Sequence, residues 1–263
     1  IMSGASISDN RTEVGVTTRY YFDNGNTGIK FSRSDEDDYS ANAIAFDTSL
    51  NNSDNSRTYS IGLSNSDDSI RPTKNVLPTH FDREHRNTSS AWIGVSQIIS
   101  KSIIARVGLS YTQQHGELTD PYKLIDRRPR SRSKTALSIG YRHHIGILNA
   151  ALRLNYRYFN DDWGINSHTV TTEWYQNFKN GAVIPYLRYY SQRKADFFGT
   201  VANTNDTYFA DDYRLSSFGA ITIGARCEID FREWRIQLQT ERYRTDNRWS
   251  LSNGDPSPAL VGF

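Results

Sequence analysis

A strict two-residue alternation of apolar and polar side chains runs from Leu148 to Tyr158, and similar alternation recurs in about ten other segments. Leucine, alanine and tyrosine occupy one set of positions in this stretch, whereas Asn149, Arg153 and Arg157 belong to the other set. Because successive side chains of a strand point to opposite faces, one face suits hydrocarbon and the other suits water. Such strands, repeated along the chain, predict an all-β fold, an antiparallel transmembrane β-barrel.

The composition fits a barrel and argues against a helical membrane protein. Only 37% of the residues are hydrophobic, and no stretch approaches the roughly 20 apolar residues that a membrane helix requires. A barrel needs apolar residues only at alternate strand positions, and 16 tyrosines and 5 tryptophans suit its interfacial aromatic girdles. We interpret residues 1–263 as a single barrel domain. A soluble, aromatic-rich β-sandwich is the alternative.

Charge and cysteine content limit the classes of partner. The 31 basic and 29 acidic residues nearly cancel, and the one basic run, residues 127–132, is short, so we expect no nucleic-acid partner. A single cysteine, Cys227, excludes an internal disulfide bond and lies on the apolar face of its segment. The first six residues lack the features of a secretory signal, which favours a mature protein or a fragment.

The alternation predicts about twelve strands in this chain. They span residues 12–22, 27–34, 39–49, 57–66, 88–99, 102–113, 134–144, 148–160, 167–178, 182–193, 215–229 and 233–245. Short connections rich in Gly and Asn alternate with longer ones at 67–87, 114–133, 161–166 and 196–214. The connection 35–38 is short although it lies on the side of the long loops. Long loops on one side and tight turns on the other are typical of outer-membrane barrels.

This order of turns predicts that both ends of the strand series lie on the extracellular side. Bacterial barrels normally begin and end at the periplasmic face, and an unclosed sheet in lipid leaves backbone groups unpaired. We therefore expect missing strands at both ends. Residues 259–263 would begin a descending strand, and residues 2–6 would follow an earlier ascending one.

The polar face of the predicted strands carries most of their charge. If the apolar face meets lipid, the candidate lumen-lining residues are Arg19, Lys30, Arg106, Arg142, Arg153, Arg157, Arg188, Arg226 and Arg235, opposed by Glu13, Glu173, Glu228 and Glu241. A charge facing lipid near the bilayer midplane costs about 2–4 kcal/mol, which accounts for the shared face. The net basic wall predicts an anion-preferring pore, or alternatively a salt-bridge network that closes the interior. Side chains alone do not fill so wide a barrel, so water, a plug or a partner must.

Two polar and aromatic stretches on the loop side are candidates for binding a partner. One contains Tyr122, Arg127 and Arg128, and the other contains Asp162 and Trp163. In the alternative interpretation they fold onto one another through arginine–carboxylate pairs, as loop charges often do.

No motif for a metal, a cofactor or catalysis is complete. The acidic run 35–38 lacks the spacing of a calcium loop, and the adjacent His143 and His144 would point to opposite faces of a strand. Ser252-Asn253-Gly254 resembles the His-x-Ser-Asn-Gly stretch of outer-membrane phospholipases, but Ser250 replaces the histidine that would accept the proton. We therefore predict no metal site, no cofactor and no enzyme activity.

Several segments together resemble one family across nearly the whole chain. They are Ser3-Gly4-Ala5-Ser6, Thr18-Arg19-Tyr20-Tyr21-Phe22, Asp37-Asp38-Tyr39, Asp120-Pro121-Tyr122-Lys123, Asp126-Arg127-Arg128-Pro129, Tyr156-Arg157-Tyr158, Asp162-Trp163-Gly164-Ile165, Ser167-His168-Thr169, Leu187-Arg188-Tyr189-Tyr190-Ser191-Gln192 and Tyr213-Arg214-Leu215-Ser216. The family that they resemble consists of outer-membrane β-barrel proteins known as domain of unknown function 3570. The resemblance implies location and fold, and no catalytic residues.

Family members look longer than this chain, with a signal sequence and further strands at both ends. Three strands before Ile1 and one after Phe263 would give a closed barrel of about sixteen, an even number as in bacterial barrels. The leading hypothesis is a channel or porin-like conduit in the outer membrane of a Gram-negative bacterium. The alternative is a structural or docking barrel that encloses or anchors a plug, a lipoprotein or a periplasmic partner. In both cases outer-membrane lipid and lipopolysaccharide are expected partners.

Overall fold

Twelve β-strands account for most of the structure. The structure is a computed structural model that describes residues 10–72, 82–123, 125–202 and 206–252. The strands are β1 (Thr12–Phe22), β2 (Gly25–Asp35), β3 (Tyr39–Asn51), β4 (Arg57–Ile70), β5 (Glu84–Ser100), β6 (Ile103–Gly116), β7 (Ser131–Ile145), β8 (Ala150–Asp161), β9 (Asn166–Phe178), β10 (Gly181–Gln192), β11 (Phe218–Phe231) and β12 (Trp234–Asp246). Every strand is antiparallel to the next, in one sheet ordered β1 to β12. The prediction of an all-β antiparallel fold is confirmed.

Strand bounds agree with the alternation to within a few residues, with two local corrections. Leu148 was predicted to open β8 but lies in a 3₁₀ turn, Gly146–Leu148, which Asn149 closes in the left-handed conformation (φ 46°). Leu215 was predicted to open β11 but ends another 3₁₀ turn, Tyr213–Leu215, where it is buried. In both cases an apolar residue at the right spacing belongs to the connection and not to the strand.

The two faces of the sheet differ in chemistry. We call the face that carries Arg106, Arg157 and Arg188 the inner face, and the opposite face the outer face. Large apolar side chains of the outer face are exposed, for example Leu109 at 45% and Ile223 at 62% of their area. A β-sandwich buries such residues between two packed sheets, so the single sheet of the described chain contradicts the sandwich alternative.

The sheet is curved, and among the described residues β1 and β12 are its edge strands. One cavity of about 590 Å³ is lined by residues from Ser60 on β4 to Arg188 on β10, so seven successive strands bend around it. Strands β1 and β12 each lack a second neighbour among the described residues. A closed barrel of about sixteen strands remains a prediction. No helix in the described residues is long and apolar enough to span a membrane.

The main apolar core lies among the long connections at one end of the sheet. It consists of buried Trp163, Ile165, Ala195, Phe198, Ala210 and Leu215. These residues come from two connections, β8–β9 and β10–β11, and Leu118 of the β6–β7 connection packs against them. The long connections are therefore folded against one another at one mouth of the curved sheet.

Candidate functional site

The cavity of about 590 Å³ on the inner face is lined by arginines that have no acidic partner among the described residues. Arg106, Arg157 and Arg188 reach it from strands β6, β8 and β10, and all three side chains are exposed. None of them has a carboxylate within 4.0 Å in the part of the chain that the structure describes. Their charges therefore face the space of the cavity.

The other predicted lining residues divide into paired and unpaired groups. Arg19 binds Asp47 (2.7 Å), Arg226 binds Glu228 (3.1 Å), and Arg235 binds Asp230 at the β11–β12 turn (2.6 Å). Arg153 lies 3.8 Å from Glu173 and stacks on the ring of Tyr175. Within the described ranges, Lys30 and Arg142 form no ion pair, and Arg142 lies directly opposite Arg153 in the strand register.

The inner face therefore contains both paired and unpaired arginines. Salt bridges neutralise the arginines near β1–β3 and the turn-side part of β8–β12, whereas the centre of the cavity keeps unpaired cations. A second cavity of about 380 Å³ mixes both signs, with Glu173, Arg188, Arg226 and Glu241 on its wall. Glu241 accepts a hydrogen bond from the Tyr186 hydroxyl at 2.5 Å. Glu13 lies near the mouth and pairs with Arg11.

Glycines on the inner face make room for large cross-strand neighbours, a feature that the sequence analysis missed. Directly opposite each other in the register are Arg19 and Gly28, Trp92 and Gly62, Arg106 and Gly140, and Tyr186 and Gly224. A Cβ on Gly62 would lie 2.1 Å from the Trp92 indole nitrogen, so the ring lies flat over the neighbouring strand. These glycines can be recognised only when the register of neighbouring strands is known, because each one lies directly opposite a large side chain.

Three long connections form a buried network of charges at the mouth, which we call the loop cluster (residues 117–123, 125–130, 161–165, 193–202 and 206–217). Arg128 donates hydrogen bonds to Asp126 (2.6 Å) and to Asp212 (3.0 Å), and Arg214 bonds Asp212 as well (2.5 Å). Asp126 and Asp212 are each only 1% exposed. Buried charges of this kind need full pairing to be tolerated.

The two buried carboxylates have different environments. Burial raises the pKa of Asp126, and the bonds from Arg128 compensate this only in part. Burial also acts to raise the pKa of Asp212, but hydrogen bonds from the Arg214 side chain and backbone, with the charges of Arg214 and Arg128, lower that pKa to about 2. Asp212 therefore stays ionised as the anchor of the network at neutral pH.

The loop cluster spans the mouth of the sheet. The Tyr122 hydroxyl donates a hydrogen bond to Asp38 in the β2–β3 connection, while Lys123 binds Asp211 in the β10–β11 connection (2.9 Å). The backbone of Arg127 exchanges two hydrogen bonds with Phe209. One connection, β6–β7, thus touches connections from both sides of the curved sheet.

The candidate partner-binding residues of the β8–β9 connection make contacts within the chain. Trp163 is 4% exposed, donates from its indole nitrogen to the Ser131 carbonyl, and lies 4.2 Å under the guanidinium of Arg132. Asp162 accepts a hydrogen bond from the backbone of Ser133. Arg128 pairs with Asp126 of its own stretch and with Asp212 of the β10–β11 connection, so these candidate residues make their contacts within the chain.

The acidic run at the β2–β3 connection and the histidines show no ligand cluster. Among the described residues, no group of three or more His, Cys, Asp or Glu side chains is arranged to hold a metal ion. Asp35 pairs with Arg33, and Glu36 lies 3.5 Å from Arg11. Ser252 bonds the hydroxyl of Ser250, while Asn253 and Gly254 lie outside the described residues, as do residues 2–6 and 259–263.

Fold and cavity define this class of protein: a single curved, antiparallel sheet with an apolar outer face, a polar inner face and loops packed over one mouth. The chain belongs to the family described as "Protein of unknown function (DUF3570)", whose model matches residues 3–256. The resemblance noted from the sequence motifs is thereby confirmed.

Among solved structures, the chain is similar to CdiB from Acinetobacter baumannii, at 13% sequence identity and a TM-score of 0.47. The match covers 92% of this chain and 50% of CdiB, so the chain spans about half the length of that protein. No curated protein matches the chain.

Proposed function

We propose that this protein is an integral outer-membrane β-barrel of a Gram-negative bacterium and that it acts as an anion-preferring conduit. The observation that carries the proposal is the set of three unpaired arginines, Arg106, Arg157 and Arg188, on three strands around one cavity. Unpaired guanidinium groups along a water-filled path lower the energy of a passing anion and raise that of a cation.

The outer face supports placement in a lipid bilayer. Isoleucine, leucine and valine side chains on that face stay exposed along the sheet, as with Ile61 (43%), Leu109 (45%) and Leu238 (63%). Exposed contiguous apolar surface of this extent is unfavourable in water and favourable against acyl chains. The polar inner face then encloses the aqueous side of the sheet.

The proposal is tested by the ion selectivity of the purified full-length protein in planar bilayers. Across a salt gradient, the reversal potential should indicate preference for chloride over potassium. Replacing the three cavity arginines by serine should lower the anion-to-cation permeability ratio several-fold, because the cavity loses three positive charges. As a matched control, Arg235→Gln removes an inner-face arginine that is paired with Asp230 at the turn and should change the ratio little.

Two results would contradict an anion conduit. One is a folded, inserted protein without measurable conductance. The other is an anion preference that survives the loss of Arg106, Arg157 and Arg188 but disappears in the Arg235→Gln control.

A second candidate function is a docking barrel that holds a plug, a lipoprotein or a periplasmic partner. The loop cluster favours it, because contacts from Tyr122 to Asp38 and from Arg128 to Asp212 join connections across the mouth. A closed mouth suits a barrel that encloses a partner better than one that exchanges solutes freely. Co-purification of one protein at fixed stoichiometry from native membranes would support this function, and a pure monomer that conducts would contradict it.

A further inference from the structure

Two arginines stand on the outer face among apolar residues. In β12 the outer-face positions include Ile236, Leu238, Arg242 and Arg244, in that order toward the loop end of the strand. The register places Arg242 beside Ile223 and Arg244 beside Ile221, both outer-face isoleucines of β11. Both arginines are exposed.

These arginines differ from the other arginines on the outer face of the strands. Arg33 is satisfied by Asp35 (2.7 Å), and Arg57 donates hydrogen bonds to Gln97 and to the Tyr59 hydroxyl. Arg242 and Arg244 have neither an ion pair nor a side-chain hydrogen bond within the described ranges. A guanidinium group has five hydrogen-bond donors. A site with two unpaired guanidinium groups is therefore suited to an anionic ligand.

The arginines share a groove with an aromatic ring. A cavity of about 400 Å³ is lined by Ile221, Ile223, Arg242, Arg244 and Trp249. Trp249 is fixed there by a short turn, Asn247–Trp249, and its carbonyl accepts a hydrogen bond from the Tyr189 hydroxyl of β10 (2.5 Å). The groove therefore combines an apolar floor, an interfacial aromatic side chain and two cations.

We propose that this groove binds the phosphorylated head of an acyl lipid, the chemistry of lipopolysaccharide in the outer leaflet. The inference rests on the proposed membrane placement of the sheet. Arg242 and Arg244 lie in the last five residues of β12, at the end where the long connections lie, which is the extracellular end in that placement. A cationic side chain on the lipid face costs about 2–4 kcal/mol at the midplane but only about 0–1 near an interface.

Spacing and chemistry match such a ligand. The two arginines are two residues apart on one strand face, so their Cα atoms lie about 7 Å from each other. Each can form bidentate, charge-assisted bonds with phosphate. The isoleucines contact the first methylene groups of the acyl chains, and Trp249 lies at the depth of the head group, as aromatic residues do in membrane interfaces.

Binding is tested on the full-length protein in detergent by native mass spectrometry. The probes are bis-phosphorylated lipid A, the same acylated disaccharide without phosphates, and inorganic phosphate. The double variant Arg242→Gln/Arg244→Gln should bind lipid A on the order of 10-fold or more weakly, as expected for the loss of charge-assisted bonds. The double lysine variant keeps both charges and should retain most of the affinity.

Arg57→Gln is the matched control, because Arg57 lies on the outer face at the opposite, short-turn end of β4. It should leave lipid A binding unchanged. The inference is overturned if the double glutamine variant binds lipid A like the parent, if the phosphate-free lipid binds equally well, or if inorganic phosphate alone competes fully at similar concentration.

Conductance of the same preparations separates the two proposals. If the double glutamine variant loses phosphate-dependent lipid binding but keeps its anion conductance, both the lipid site and the conduit are supported. A conducting protein that does not distinguish the two lipids overturns the lipid site alone. Phosphate-dependent binding without any conductance supports the lipid site and counts against the conduit.

Discussion

At the scale of single residues, glycines determine where the largest inner-face side chains lie. Opposite Trp92, a Cβ on Gly62 would meet the indole at 2.1 Å, and opposite Tyr186, a Cβ on Gly224 would meet the ring at 2.4 Å. The absent side chain lets each ring lie flat across the neighbouring strand instead of projecting into the cavity. Close approach of another group is one of the few reasons to keep glycine in a strand interior.

Replacing Gly62 by alanine should therefore displace Trp92. Overpacking of this kind costs about 1–3 kcal/mol, and the displaced ring should narrow the cavity. We expect a lower urea midpoint of unfolding in detergent and a smaller single-channel conductance. Gly94→Ala is the matched control on the next strand, because its Cβ would meet its nearest atoms only at 3.6 Å and 3.8 Å. Equal effects of the two substitutions would contradict the steric argument.

At the scale of elements, strands and connections follow different rules. Strand β1 has the bounds that alternation alone predicts, Thr12–Phe22, because the pattern is local and its period is that of the pleated backbone. The Arg19–Gly28 pairing does not follow from the predicted bounds, because the predicted connection 23–26 has four residues and the observed turn between Phe22 and Gly25 has two. Local pattern is thus enough for the strands, whereas the register of a hairpin also depends on the exact length of its turn.

The loop cluster could not be predicted in the same way. Arg128 and Asp212 are 84 residues apart in the chain, and nothing in either local sequence selects one partner over another. The charged residues of the loops indicated that the loops would either form arginine–carboxylate pairs or bind a partner. They did not indicate which residues would contact each other. The Trp92–Gly62 pairing likewise crosses a long connection, so its register could not be counted from a turn.

Removing Arg128 should open the loop cluster. Arg128→Gln leaves the buried carboxylates of Asp126 and Asp212 with less compensation, and breaking a buried ion pair from one side costs about 3–5 kcal/mol. The strands, whose bonds do not involve Arg128, should stay folded. We expect faster proteolysis within residues 117–130 and 193–217, measured by mass spectrometry of the fragments, together with a larger conductance.

Arg248→Gln is the control for this substitution. Arg248 pairs with Asp246, and the Arg248 side chain is 86% exposed. Exposed pairs contribute about 0–1 kcal/mol, so the loops should resist the protease as in the parent. An Arg128→Gln protein whose loops are cleaved no faster than those of the control would show that the cluster does not depend on its buried charges.

At the scale of the whole molecule, the sheet separates apolar side chains on one face from polar and charged side chains on the other. Apolar side chains lie on the outer face of every part of the sheet described above, while arginines on the inner face surround the cavity. The arginines of the outer face, Arg33, Arg57, Arg242 and Arg244, lie near the ends of their strands. This separation accounts for the low overall hydrophobic content, because each strand needs apolar residues on one face only.

Cysteine labelling in intact cells tests this separation residue by residue. Cys227 lies on the outer face, opposite Leu238, and replacing it by alanine removes the one cysteine of residues 1–263. In that background, Ser138→Cys should react with a small membrane-impermeant maleimide that enters the cavity, because Ser138 lies on the inner face directly opposite Arg157. Its neighbour in sequence, Ile139→Cys, points to the outer face and should react only with a lipid-permeant reagent, since hydrocarbon excludes the charged one and disfavours the thiolate. Equal labelling at 138 and 139 by the impermeant reagent, with both proteins folded, would mean that water reaches both faces and that the sheet does not stand in a membrane.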